Sequence, residues 1–311
     1  MAGTSLLLGV AWPLLRRASS RRHPEARARI ALASAIAPSL ASVVLIGMCL
    51  APGVLGWLGL HADHCVQHPA HPHLCVAHPT ALLTPPSALL LALGLVGLAG
   101  TALHTGLRAR RTRQTLAGLQ SAPSQWLAPG VRCIESERNF SLTGGLWRRE
   151  IFVSSAMANA LPPKFLEAVI AHEQAHARRR DGLRMLAARV LSSPHLPRVR
   201  RSILAELDLA TELACDEQAG SRLGDRLVVA EAILAAERLL ASTPWRAPGP
   251  LLAFAGSSVP ARVQSLLAAP PTQGTLPGRW MVGLLLLASW LLADPLHHAT
   301  EHLLGFWVGT R

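Results

Sequence analysis

Phe165-Leu166-Glu167-Ala168-Val169-Ile170-Ala171-His172-Glu173-Gln174-Ala175-His176-Ala177-Arg178 is the stretch on which the reading of this chain turns. Leu166, Val169, Ile170 and Ala171 recur at the spacing of a helix packed on one side, and Pro162 and Pro163 just ahead suit a helix start. Positions i and i+4 share a helical face, so His172 and His176 can grip one metal ion together. Glu173 follows the first histidine, where its carboxylate can take a proton from a water that the metal activates.

A hydrolytic zinc site needs a third protein ligand and one open position. Residues 200–220 read as a second helix, and Glu212-Leu213-Ala214-Cys215-Asp216 offers a carboxylate 36 residues beyond His176. That separation lets the chain turn and lay one helix across the other. Spacing alone leaves Glu206, Asp208 and Glu217 as competitors. Asp216, one turn after Glu212, could hydrogen-bond the outer nitrogen of a ligand histidine. Asp181 reads as a cap or ion-pair partner near Arg178, and Cys215 as a small buried residue.

Ahead of the His pair the chain reads as strands and turns. Residues 131–135 and 150–154 are β-rich and are separated by Thr143-Gly144-Gly145. Residues 150–154 could form an edge strand that pairs with an extended peptide substrate. Beyond it, 183–191 reads as an amphipathic helix beside a membrane, Ser192-Ser193-Pro194 as a break, 225–240 as a packing helix, and 251–267 as the segment that completes the domain. A small sheet followed by helices is an α+β arrangement.

The rest of the chain carries a different composition. Over all 311 residues half are hydrophobic and only 15% are charged, against about 25% in soluble domains. Residues 30–60 and 81–107 hold no Asp, Glu, Lys or Arg and are each long enough to cross a bilayer. Residues 280–296, leucine-dense with Trp280 and Trp290, read as a further span, and 1–15 as a short uncleaved anchor. The arginines follow that anchor instead of preceding it, which is the reverse of a signal peptide.

The net charge of +12 is almost wholly arginine, since Lys164 is the sole lysine. Arg16, Arg17, Arg21, Arg22, Arg27 and Arg29 follow the first run, and Arg108, Arg110, Arg111 and Arg113 follow the third. Arg279 precedes the fourth, whereas 61–80 holds no Lys or Arg. By the positive-inside rule the N-terminus and 61–80 lie outside, while 108–279 is cytoplasmic. Three domains follow: 1–107 with three spans, 108–279 with the zinc chemistry, and 280–311 with the fourth span and a short outer tail. Topology thus accounts for most of the charge, and direct nucleic-acid binding loses its support.

Six histidines, His61, His64, His68, His71, His73 and His78, crowd the outer loop with Cys65 and Cys75, and His297, His298 and His302 join them on that side. The plain expectation is a polar loop stapled by a Cys65–Cys75 disulfide. A sharper one is a loop that binds an external transition metal or titrates near pH 6. Five cysteines at scattered positions make no disulfide framework.

Three runs carry a resemblance: Leu146-Trp147-Arg148-Arg149-Glu150-Ile151-Phe152-Val153, then Ala168 through Asp181, then Glu212 through Asp216. Together with the topology they resemble the BlaR/MecR-type membrane zinc metallopeptidases. The resemblance implies four spans in a bacterial inner membrane with the N-terminus outside. It also implies a cytoplasmic gluzincin domain, Zn²⁺, and Glu212 as third ligand. The implied partner is a cytoplasmic protein, typically a transcriptional repressor, and often the chain itself. The large penicillin-binding sensor domain of those relatives has no counterpart in this sequence, so direct β-lactam acylation is not expected. The alternatives are a quality-control protease resembling the Ste-type and HtpX-type membrane gluzincins, and a non-proteolytic membrane receptor built on the peptidase fold.

Overall fold

The computed structural model describes residues 2–59, 85–145, 149–242, 252–253 and 258–269. They form helices α1 (Ala2–Ser20), α2 (Pro24–Trp57) and α3 (Pro85–Ser121), then strands β1 (Ser124–Ala128), β2 (Val131–Ile134), β3 (Ser141–Gly144) and β4 (Glu150–Ser154). After these come α4 (Ser155–Ala160), α5 (Pro163–Arg179), α6 (Asp181–Leu191), α7 (Pro197–Leu223), α8 (Arg226–Ser242), β5 (Leu252–Ala253) and α9 (Val259–Leu267). A mainly helical chain with one small mixed sheet is the α+β class expected. Residues 2–36 and 103–274 make up one compact unit, and 37–102 belong to a second.

The five strands run in the order β1-β2-β4-β3-β5, with β2 and β4 parallel and the other pairs antiparallel. Residues 150–154 were expected at an edge. They instead form β4 in the interior of the sheet, bonded to β2 on one side and β3 on the other, so no backbone is left there for a substrate to pair with. The reason is burial on both faces. Ile151 and Val153 point into the core with Val131, Met157, Val169 and Ile233, while Phe152 joins Ile134, Phe140 and Leu142 under Leu116 and Leu119 of α3. A strand alternating large apolar groups toward two helical layers is stable only as an inner strand. The turn expected at 143–145 also shifts: Thr143 and Gly144 pair with β4, and only Gly145, at φ 91°, leaves the ladder.

Helix α5 starts at Pro163, which needs no amide partner there. It stops at Arg180, whose backbone is left-handed (φ 58°, ψ 40°). That single turn sends the chain directly into α6 and carries Asp181 back toward the end of α5. Helix α7 is capped by Gly224 at φ 69°, a conformation glycine takes without strain.

Helix α1 packs one face on this domain. Trp12 is buried and its indole donates to Ser202 Oγ at 2.9 Å. Leu6, Leu7, Val10 and Leu14 remain exposed on the other face. Met185 and Ala188 of α6, read from sequence as beside a membrane, lie in a cluster with Trp12, Ala28, Ala31, Ala35, Ile203 and Leu207. Glu206 of α7 clasps both N-terminal helices, taking Arg16 at 3.0 Å and Arg27 at 2.6 Å.

Among the described residues one helix segment, Pro24–Val44, is, at 21 residues, long and apolar enough to cross a membrane. Residues 85–107 of the third apolar run form the first part of α3. Residues 280–296, the histidine loop 61–80 with Cys65 and Cys75, and His297, His298 and His302 lie outside the described residues, as do 146–148.

Candidate metal centre

His172 and His176 lie one turn apart on α5, both buried, with their Nε2 atoms 3.1 Å apart. Glu212 reaches over from α7, Oε2 lying 3.5 Å from His172 Nε2 and Oε1 3.5 Å from His176 Nε2. Of the four carboxylates that spacing left open, the other three point elsewhere. Glu206 holds Arg16 and Arg27, Glu217 holds Arg226 at 2.5 Å, and Asp208 is exposed.

The outer ring nitrogens decide the tautomers. His172 Nδ1 is 2.8 Å from Asp216 Oδ1, and His176 Nδ1 is 3.0 Å from Asp181 Oδ2. A carboxylate accepts only, so each Nδ1 carries a proton and each Nε2 is the atom left to face a ligand. Two ring nitrogens and a carboxylate thus face one another, an arrangement that calls for positive charge between them. The dimensions test which cation. Bonds of about 2.0–2.1 Å around a tetrahedral zinc place its ligand atoms about 3.3–3.4 Å apart; here the two nitrogens are 3.1 Å apart, each lies 3.5 Å from a different oxygen of Glu212, and one ligand atom from each residue can be chosen so that all three lie within 4.8 Å of one another. The chemistry and spacing of the donor set fit such an ion.

The charges around the site point the same way. Burial works against a charged His176, yet Cys215, Asp181 and Glu212 outweigh it and raise its proton affinity well above the ordinary value. Burial would likewise raise Glu212 and Asp216, but Arg262 holds both down, Glu212 well below its usual range. The pocket is thus negative enough to draw in positive charge.

Arg262 is the residue the sequence reading missed most. It enters from α9 with no exposed surface, donates from Nε to Asp216 Oδ2 at 2.8 Å and from Nη2 to Oδ1 at 2.7 Å, and sets Nη1 3.1 Å from Glu212 Oε2. Its only sequence signal is one arginine inside the otherwise apolar face of Val259–Leu267. Asp181 is the ion-pair partner read for it, meeting Arg179 at 2.9 Å, and it also meets His176. Cys215 is buried 3.3 Å from His176 Nδ1, and burial pushes its thiol up to about 11.

Glu173 is buried beside the pair. Thr143 donates to its Oε2 at 2.6 Å and Ser141 to its Oε1 at 3.1 Å, both from β3. Burial raises its carboxyl above the ordinary value; His176, His172 and the two hydroxyls offset this only in part. Nothing in the primary sequence links Ser141 and Thr143 to a helix thirty residues on, since the pairing is made by the sheet packing on α5.

A search of curated proteins finds no match to this chain. Residues 114–245 match the sequence family described as Peptidase family M48, a span that runs from the end of α3 past the last turn of α8 and includes His172, Glu173, His176, Glu212 and Asp216. That stretch is therefore similar to a metallopeptidase domain.

Proposed function

We propose that this protein is a membrane-associated zinc endopeptidase in which His172, His176 and Glu212 hold the ion and Glu173 is the general base. The observation that carries the reading is the convergence of the two Nε2 atoms and the Glu212 carboxylate within metal-binding reach of one another, beside a buried glutamate. A zinc ion held there supplies Lewis-acid polarisation of the scissile carbonyl and acidifies the attacking water.

The chain's own groups do the rest. Asp216 and Asp181 fix the two imidazoles in the ligating tautomer and orientation. Arg262 keeps Asp216 and Glu212 ionised. Glu173 accepts a proton on its carboxylate as water attacks and gives it to the leaving amide nitrogen as the C–N bond breaks. Its burial-raised proton affinity suits a group that must hold a proton between those two events. Ser141 and Thr143 aim the carboxylate.

The substrate in this reading is a cytoplasmic protein, and the role is regulatory: cleavage of a repressor-like target, with self-cleavage as a second reaction. Support comes from the three sequence runs of BlaR/MecR type and from an N-terminal helix pair locked onto the peptidase domain. The exposed apolar side of α1, with Leu6, Leu7, Val10 and Leu14, is the face that meets lipid.

The test compares the proteomes of cells carrying the wild type and Glu173→Gln, with the bound metal of each purified protein measured alongside. Equal metal and loss of a defined set of new N-termini in the variant are expected. Cleavage that persists in Glu173→Gln removes the mechanism. A broad set of damaged membrane proteins among the products, instead of one or two cytoplasmic ones, replaces the regulatory role by quality control.

A further inference from the structure

We propose that Glu25, in the first turn of α2, is a positioning residue for the metal ligand His176, acting through Arg179 and Asp181. The inference rests on the reading of His172, His176 and Glu212 as metal ligands. It adds that the helix able to cross a membrane is tied by charge to the metal centre.

The path is continuous. Glu25 Oε2 pairs with Arg179 Nη1. Arg179 Nε donates to Asp181 Oδ2 at 2.9 Å and to Oδ1 at 3.2 Å, and Asp181 Oδ2 lies 3.0 Å from His176 Nδ1. The Arg179 and Asp181 side chains are 5% and 1% exposed, so water screens the inner part of this relay little. Glu25 is the second residue of the segment Pro24–Val44, the one described helix segment long and apolar enough to cross a membrane.

Charge balance shows why Glu25 matters. Asp181 also has Arg184 Nη1 3.6 Å from its Oδ1, and Glu25 Oε1 lies 3.1 Å from Arg29 Nε and 3.5 Å from Arg184 Nη1. Two anions thus serve three guanidinium groups. Burial and then the neighbouring Arg179 already depress the proton affinity of Arg184, a mark of cations crowded together. Without Glu25, Arg179 and Arg184 compete for Asp181 alone, and the aspartate is drawn off the imidazole. The same loss follows from movement. A displacement of α2 large enough to separate Glu25 from Arg179 has that effect.

A second acid separates coupling from mere attachment. Glu206 binds Arg16 and Arg27, and so fastens α1 and α2 to the domain, but its partners do not touch Asp181. Among the described ion pairs, those of Glu25 join the helix pair to the relay.

The experiment uses the full chain in detergent with Co²⁺ as the probe, reading its visible d–d bands and its affinity by chelator competition. Removing a direct partner of a ligand histidine costs about 10- to 100-fold in metal affinity. Glu25 acts one side chain further out, so Glu25→Gln is expected to weaken Co²⁺ about 3- to 10-fold and to change the bands. Glu206→Gln is expected to lower the unfolding temperature with affinity within about twofold of wild type. Adding Arg184→Gln to Glu25→Gln removes the competing cation and restores the affinity. Glu25→Asp, one methylene shorter, gives a smaller loss in the same direction and carries the test if the glutamine variant does not fold. Wild-type affinity in Glu25→Gln, an equal loss in Glu206→Gln, or no rescue by Arg184→Gln overturns the proposal. A wild-type chain that binds no Co²⁺ overturns the metal reading itself, before any substitution is made.

Discussion

Replacing Arg262 by methionine tests the electrostatic account most directly, because the side chain is wholly buried and its ion pairs are all inside the domain. Methionine fills most of the same space without charge. The substitution leaves Asp216, itself 1% exposed, with only the His172 N–H, and removes the nearest cation from Glu212. Breaking a buried ion pair by deleting one partner costs about 3–5 kcal/mol, since the other charge stays buried without compensation. For a domain of this size each kcal/mol moves the unfolding midpoint by about 2–4 °C, so the expected fall is about 6–20 °C. The assay is thermal unfolding of the chelated protein at neutral and acid pH.

The pH dependence has a definite sign. In the wild type the Asp216 carboxyl is held below its ordinary value, mainly by Arg262 acting against burial. Its contribution is therefore complete above the unfolded value of about 3.9 and fades as pH falls through the lower folded value. Without Arg262, burial moves the carboxyl upward, so acid relieves the variant by protonating it. The gap between variant and wild type is widest near neutrality and narrows on acidification. A fall under about 2 °C at neutral pH, or a gap that widens toward acid, refutes the account.

Thr143→Val removes the hydroxyl 2.6 Å from Glu173 Oε2 at constant shape, and should cost about 1–3 kcal/mol of stability. Because that hydroxyl opposes the rise caused by burial, Glu173 binds its proton more tightly in the variant, and the acid limb of the pH–rate profile of peptide cleavage moves to higher pH. A limb that stays in place shows that Thr143 does not aim the base. Asp181→Asn should weaken zinc about 10- to 100-fold by competitive chelation, since an amide can present its NH₂ to the imidazole and no longer fixes the tautomer. Unchanged affinity would mean that His176 is oriented by its helix alone.

Much of the chemistry was legible because it is local. A helix puts i and i+4 on one face whatever surrounds it, so His172, Glu173 and His176 could be read as a unit from Phe165 to Arg178. The third carboxylate was one of four by spacing. Only the crossing of α5 and α7 sets Glu212, and not Glu206, Asp208 or Glu217, against the two Nε2 atoms. Residues 150–154 were read correctly as a strand and wrongly as an edge, because β-propensity reports a pleated backbone but not how many neighbours pair with it.

Taken alone, the sequence determined the helix that bears the histidines, the α+β order, and the apolar runs set apart from a polar domain. These depend on periodicity and composition, which act over one or two turns of chain. Tertiary structure decided everything that joins distant segments: Ser141 and Thr143 on Glu173, Arg262 under Asp216 and Glu212, and Glu25 on Arg179. Those contacts span from 30 to more than 150 residues and arise from burial of charge, where each ion must find its partner inside the fold; no local pattern records which partner that will be.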